Sequence, residues 1–142
     1  GFPNMKVLQF GFSTDTQNRF YPKNYGKNCV CYTGTHDNET ALGWYQNASI
    51  REQVFFSRTA PCEGENPALR MIALAMRSKA GLVIIPMQDW LCLDNSARMN
   101  IPSTIGGGNW AWRMDKDACT KELAKEMKKM AKTYFRKAHK GE

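Results

Sequence analysis

The sequence predicts an α/β fold in which parallel strands alternate with helices, in the pattern of the final part of an eight-stranded barrel. Three short runs rich in apolar and β-branched residues are typical of buried strands, and helical patterns separate the second run from the third. Strands alternating with helices indicate βα units and a parallel sheet. A complete barrel needs roughly 250 residues, whereas this chain has 142. We therefore expect the earlier strands to be absent from it.

The predicted strands cover residues 5–12, 29–35 and 82–88. The third run is almost continuously apolar, as is typical of a parallel strand covered on both faces. Pro86 lies near its end, where a missing backbone donor matters least to the sheet.

Four segments have the apolar spacing of helices. In the clearest of them, Pro67 suits the first helical turn and Gly81 ends the helix. The last segment carries an apolar stripe that includes Leu123, Met127 and Met130, opposite a lysine-rich face, which is the ordinary pattern of an amphipathic helix. The predicted helices cover residues 40–48, 50–56, 67–80 and about 118–137.

The composition favours a globular protein with reduced thiols. Hydrophobic residues make up 42% of the chain, yet no apolar run is long enough to cross a bilayer. The N-terminal residues lack the zones of a signal peptide. The five cysteines are an odd number without metal-ligand spacing, and we expect Cys29 and Cys31 to point to opposite faces of one strand. These features predict a cytoplasmic protein without a metal ion or other cofactor.

The net charge of +7 raises the question of nucleic-acid binding. Half of the basic residues lie at or beyond Arg113, mostly on the last predicted helix. There, Glu122 and Glu126 interrupt the basic run and can pair with lysines one turn along. This distribution is typical of a solvated helix face, so we expect neither a nucleic acid nor a membrane as partner.

A histidine–aspartate pair, His36 and Asp37, follows the second predicted strand. In α/β barrels, reactive groups lie at the carboxyl ends of the strands. The alternative is that Asp37 only caps the following helix, because aspartate is a favoured N-cap residue. The pair is the first candidate site in the chain.

Several blocks of the sequence resemble those of a known enzyme family. Residues 1–10, GFPNMKVLQF, resemble a GFPGMKVLQF stretch, and residues 32–40, YTGTHDNET, resemble a YTGTHDNDT motif, both of the 4-alpha-glucanotransferases. These enzymes, also called amylomaltases or disproportionating enzymes, form glycoside hydrolase family 77. Three further blocks match in the family's order, namely PMQD at 86–89, ARMNIP at 97–102 and NWAWR at 109–113.

The resemblance implies that residues 1–142 are the C-terminal segment of the catalytic (β/α)8 barrel, without a separate second domain. The family transfers α-1,4-glucan segments between maltooligosaccharides by retaining double displacement, in which one carboxylate attacks the anomeric carbon and a second protonates the leaving oxygen. Both lie upstream of the GFPGMKVLQF stretch, and Glu39, Asp89 and Asp94 do not match them. We therefore expect the isolated chain to be inactive and to need the remaining N-terminal part of the same enzyme.

The resemblance also assigns roles to residues of this chain. Asp37 takes the place of a third, catalytic carboxylate that grips sugar hydroxyls and opposes the positive charge of an oxocarbenium-like transition state. His36 is expected to donate to a neighbouring hydroxyl, with a structural core histidine as the alternative. Asn100 is expected to bind sugar, with loop scaffolding as the alternative. Phe12 is expected to stack on a sugar face, with an equally weighted core role.

A different function remains open at the level of sequence. A non-catalytic α-glucan-binding module would keep the aromatic residues and the sugar-gripping pair without the two missing carboxylates. Under either function, Trp110, Trp112 and Arg113 are expected to pack around the closing segment of the barrel.

Overall fold

The computed structural model describes residues 1–13, 15–62 and 64–136. In this part of the chain, three strands form one parallel sheet with β2 in the centre. The α/β fold class with parallel strands is thus confirmed. The strands are β1 (Asn4–Val7), β2 (Cys29–Tyr32) and β3 (Leu82–Ile84).

Side-chain caps set where the helices begin. Ser49 and Glu52 form a capping box at the start of α2, in which each side chain accepts from the other residue's backbone N–H. Thr120 accepts from the backbone N–H of Leu123 at the start of α5. A cap of this kind contributes about 1 kcal/mol. The described helices are α1 (Ala41–Asn47), α2 (Ile50–Thr59), α3 (Pro67–Arg77), α4 (Met87–Trp90) and α5 (Lys121–Thr133).

The strands are shorter than predicted. After Val7 the chain enters a 3-10 helix, Leu8–Phe12, which a short apolar run does not distinguish from a strand. β3 stops at Ile84, and Pro86 is the N-cap of α4. Proline has no backbone N–H to donate to a strand ladder, and its fixed φ suits the start of a helix.

One face of the sheet is largely open, so the prediction that the third strand is covered on both faces is wrong for this structure. Leu82 is 53% exposed and Ile84 is 41% exposed. In the register of the sheet, Leu82 lies in line with Val30 and Met5, and Met5 is 57% exposed. These side chains are exposed because the described helices pack mainly on the opposite face.

The opposite face of the sheet packs against the helices in one aromatic-rich core. The rings of Phe12, Trp44 and Phe56 contact one another, with centroid separations of 5.0 to 5.7 Å. Phe12 and Phe56 are fully buried. The cluster also includes Met71 of α3 and Cys31 of β2. Contacts of this kind join the segment after β1 to α1, α2 and α3.

Cys29 and Cys31 lie on the same face of β2, and both are buried. Their predicted placement on opposite faces is wrong, because residues two apart along a strand share a face. Burial raises the pKa of the Cys31 thiol to about 12 and also raises that of Cys29. All five cysteines, which lie in the described part of the chain, are free.

The predicted apolar stripe of the last helix is confirmed. Met130 of α5 is buried against Ile72 of α3 and Trp90 of α4. Just beyond α5, the Arg136 guanidinium donates to the carbonyls of Met76, Ser78 and Ala80 at the end of α3. These contacts fix α5 against the outer side of α3.

Candidate active site

The histidine–aspartate pair lies in the loop between β2 and α1. Asn38 shapes this loop, because its Oδ1 accepts from the backbone N–H of Thr35 at 2.9 Å and from the Thr35 hydroxyl at 2.7 Å. The Asn38 backbone N–H donates in turn to the Thr35 carbonyl at 3.1 Å. The tight turn leaves the side chains of His36 and Asp37 57% and 47% exposed. A carboxylate and an imidazole are therefore accessible at the carboxyl end of the central strand.

Two neighbours hold one oxygen of the Asp37 carboxylate. Asn100 Nδ2 donates to Asp37 Oδ1 over 2.7 Å. His36 Nε2 lies 3.3 Å from the same oxygen. Within the described residues, Asp37 Oδ2 has no hydrogen-bond partner. One oxygen is thus oriented by protein groups, while the other is free to accept from a ligand.

Asn100 reaches the pair from the segment that follows α4. Besides its side-chain bond to Asp37, it donates its backbone N–H to the His36 carbonyl at 3.0 Å. Its scaffolding role is therefore visible in the structure. Its side-chain Oδ1 makes no hydrogen bond to the described residues, so that oxygen remains available to a ligand.

Arg98, which the sequence reasoning missed, links the same two segments. Its Nη2 donates to the Asp37 carbonyl at 2.8 Å, and its Nε donates to the Asn100 carbonyl at 2.9 Å. The residue lies in the ARMNIP block, whose predicted sugar-binding residue is Asn100. An arginine two residues before a candidate ligand-binding residue was the available signal.

Trp110 lies against His36 instead of packing into the closing segment as expected. It is 54% exposed, and its ring centroid lies 5.2 Å from that of the imidazole, with the planes tilted by 38°. Its backbone N–H donates to the Met99 carbonyl at 2.7 Å, and its φ is +62°. The expectation was wrong because exposure and a ring partner from another loop are not encoded by local pattern.

Gly34 leaves room for the segment that follows β1 to approach the loop. A Cβ at this position would lie 2.5 Å from Gln9 Nε2 and 3.2 Å from the Glu39 carbonyl oxygen. Gln9 Nε2 uses the space to donate to that carbonyl over 2.8 Å. The Glu39 carboxylate accepts from the side chains of Asn47 and Asn95. Glu39 therefore belongs to the framework that holds the loop.

A second aspartate at this end of the sheet is buried. Asp89 is 1% exposed, and its carboxylate accepts from the Ala41 backbone N–H at 2.7 Å and from the Thr33 hydroxyl at 2.5 Å. Burial raises the pKa of Asp89, although both hydrogen bonds oppose the shift. Asp89 thus joins α4 to the start of α1 and the end of β2. It lies in the wall of a cavity, but its 1% exposure leaves almost no surface for a ligand.

Phe12 offers no face to a ligand. Its side chain is fully buried between Trp44 and Phe56. A ring that is enclosed on all sides cannot stack on a sugar. The structure therefore supports the core role of Phe12 and not the sugar contact that was predicted beside it.

Two cavities flank the histidine–aspartate loop. One, of about 200 Å³, has Arg98 and Gln88 in its wall together with His36, and the other, of about 410 Å³, has Phe10 and Trp44 together with Arg98. Asp37, Asn100 and Trp110 line neither cavity. Together with His36 they place a carboxylate, an amide, an indole and an imidazole at the loop, a set suited to hydroxyl groups and to an apolar ring face. In the described part of the chain, no group of three or more His, Cys, Asp or Glu side chains could hold a metal ion.

Comparisons with known proteins show the family to which the chain belongs. The family model of 4-alpha-glucanotransferase, glycoside hydrolase family 77, matches residues 1–120. The 4-alpha-glucanotransferases of Clostridium butyricum and Thermus thermophilus are each 41% identical to the chain, over 96% and 92% of its length. The chain spans 28% of the length of either relative.

A solved structure matches as well. The amylomaltase from Streptococcus agalactiae in complex with acarbose superposes with a TM-score of 0.89 at 33% identity, over 96% of this chain and 28% of that protein. A partial barrel is the fold expected from such coverage. On the family model, the relatives and the structure together, the chain belongs to the 4-alpha-glucanotransferase family, glycoside hydrolase family 77.

Proposed function

We propose that the protein containing this chain transfers α-1,4-glucan segments between maltooligosaccharides by retaining double displacement, with Asp37 as the carboxylate that stabilises the transition state. One observation carries the proposal. In a chain of this family, the Asp37 carboxylate is 47% exposed at the carboxyl end of a parallel strand, with one oxygen held and the other free. Maltooligosaccharides and α-1,4-glucans are the substrates that follow from family membership.

The geometry gives each side chain a role in this proposal. Asp37 Oδ2 accepts from sugar hydroxyls, and those hydrogen bonds strengthen as the ring flattens toward the transition state. The negative charge of Asp37 opposes the positive charge that develops on the sugar. His36 donates to a neighbouring hydroxyl, and the indole of Trp110 limits the rotation of the imidazole. Asn100 holds Asp37 Oδ1 and presents its own Oδ1 to the sugar.

The rest of the reaction needs two more carboxyl groups, about 5 Å apart, that flank the scissile bond. We assign them to the N-terminal part of the same protein, which is the partner that this chain requires. The exposed residues Met5, Leu82 and Ile84 support this assignment. Further strands beside β1 and β3 would extend the sheet and close it into a barrel, whose interior would enclose these side chains. The isolated chain is accordingly proposed to be inactive.

Two further proposals come from the sequence. We propose that the protein is cytoplasmic. We also propose that residues 1–142 belong to the catalytic barrel, without a second domain. No helix in the described residues is long and apolar enough to cross a membrane.

The test measures glucose release from maltotriose by the full-length protein and by Asp37→Asn. The wild-type protein should release glucose, and the substitution should lower kcat roughly 10²- to 10³-fold because it removes a charge that opposes the transition state. Asp94→Asn is the matched control, since Asp94 is an exposed aspartate whose carboxylate accepts from the backbone N–H of the nearby Ser96. A folded Asp37→Asn protein with the wild-type rate would contradict the role of Asp37.

The same preparation separates the two candidate functions. Binding of maltoheptaose by the wild-type full-length protein, without any glucose release, would favour a non-catalytic α-glucan-binding module. Glucose release by the isolated chain would contradict the assignment of the two further carboxylates to the N-terminal part.

A further inference from the structure

We infer that Arg98 is a positioning residue of this site, which orients the Asp37 carboxylate by holding the main chain on either side of the Asp37–Asn100 contact. The inference rests on the proposed function, because it assigns a role in the same reaction. Arg98 makes no hydrogen bond to the Asp37 carboxylate within the described residues. It therefore acts through Asp37 and Asn100.

The Arg98 guanidinium connects two loops that are distant in sequence. Its Nη2 bonds the carbonyl of Asp37, 61 residues earlier in the chain, at 2.8 Å. Its Nε bonds the carbonyl of Asn100 at 2.9 Å. The donors of a guanidinium have a fixed planar arrangement. Satisfying both carbonyls at once therefore fixes the position of one loop relative to the other.

Both ends of the Asp37–Asn100 hydrogen bond depend on this link. The Asp37 carbonyl that Arg98 holds belongs to the same residue as the carboxylate, so its peptide plane sets where that side chain starts. The Asn100 carbonyl belongs to the residue whose amide donates to Asp37 Oδ1 at 2.7 Å. The Asn100 N–H bond to the His36 carbonyl, at 3.0 Å, completes the connection. Loss of Arg98 would leave the carboxylate in place, but it would be oriented less firmly, because Asp37 and Asn100 would lose their shared main-chain link.

The location of Arg98 fits this role. It is half-buried and forms part of the wall of both cavities that flank the loop. Arg70 offers a matched contrast, because it also donates to two main-chain carbonyls, those of Pro61 at 3.2 Å and Ser57 at 3.0 Å. Arg70 links α3 to the end of α2 and forms no part of either cavity wall.

The test compares Arg98→Ala, Arg98→Lys, Arg70→Ala and Arg70→Lys in the full-length protein. For Arg98→Ala, kcat on maltotriose should fall about 10²-fold while KM changes less than about threefold, because a misdirected catalytic group costs rate more than binding. For Arg98→Lys, kcat should fall about tenfold, since the lysine ammonium can keep only one of the two hydrogen bonds to the carbonyls of Asp37 and Asn100. The Arg70 variants should lower the melting temperature and leave kcat within about twofold.

Several outcomes would overturn the inference. An Arg98→Ala protein that melts lower but keeps kcat would show a structural link only, and a rise in KM with unchanged kcat would show a direct substrate contact. If Arg98→Ala does not fold, Arg98→Lys carries the test by the same criteria. A wild-type protein that releases no glucose would refute the proposed function itself, and this inference with it, whether or not it binds maltoheptaose.

Discussion

Two aspartates at the same end of the sheet have opposite environments. Asp37 follows β2, is 47% exposed, and has one carboxylate oxygen without a protein partner among the described residues. Asp89 follows β3, is 1% exposed, and bonds both Ala41 and Thr33. The comparison shows that a place at the carboxyl end of a parallel strand does not by itself leave a carboxylate accessible to a ligand. What the neighbouring elements leave uncovered decides its accessibility.

The largest expected difference between the two aspartates is in catalysis. Asp37→Asn should lower kcat on maltotriose roughly 10²- to 10³-fold. Asp89→Asn should change kcat less than about threefold, because the amide oxygen can accept from Ala41 and the amide nitrogen can donate to the Thr33 hydroxyl. Steady-state rates of the full-length variants measure both effects. A comparable loss of kcat in the two variants would break the contrast.

The next difference is in stability, where the substitution at Asp89 should have the larger effect. Asp89→Ala leaves the Ala41 N–H and the Thr33 hydroxyl buried without a partner, which should cost about 2 to 6 kcal/mol, since each buried orphan group costs about 1–3 kcal/mol. Asp37→Ala should cost less than about 1 kcal/mol, because the site is half-exposed and solvent can replace the carboxylate. Melting temperatures of the full-length variants test the order. Equal shifts would contradict it.

The contribution of the buried Asp89 to stability should also depend on pH. Burial raises the pKa of Asp89 above its ordinary value of 3.8, so the native state holds this proton more tightly than the unfolded state. The contribution of Asp89 to stability is therefore full below the ordinary pKa and is lost as pH rises through the native pKa. The melting temperature of wild type minus that of Asp89→Asn should fall over this range and then level off. If this difference in melting temperature rose with pH instead, the raised pKa of Asp89 in the native state would be contradicted.

The smallest expected effect concerns the ring that backs His36. The contact between Trp110 and His36 is worth about 0.5–1.5 kcal/mol by analogy with aromatic pairs. Trp110→Ala should therefore lower kcat/KM by roughly two- to tenfold with little change in melting temperature, since the indole is 54% exposed. Trp110→Phe should retain most of the activity because it keeps an aromatic face. An equal loss in both variants would argue against a role for ring contact.

The candidate site could be predicted from sequence only in part. His36, Asp37 and Asn100 were found because they lie in compact motifs, and the structure brings all three together. Arg98 and Trp110 were missed as members of the site because their partners lie in a loop far away in the chain. Residue type does not reveal such a contact until the two loops are placed side by side.

By itself the sequence determined the features that depend on near neighbours. It determined the alternation of strands and helices, the amphipathic stripe of α5 and the loop that presents His36 and Asp37. Capping, periodicity and turn formation act over a few residues, so a linear pattern records them. Only the tertiary structure decided that Phe12 is enclosed, that Asp89 is buried and that Arg98 holds Asp37. Burial and long-range hydrogen bonds depend on which distant segments pack together, and local sequence does not specify that.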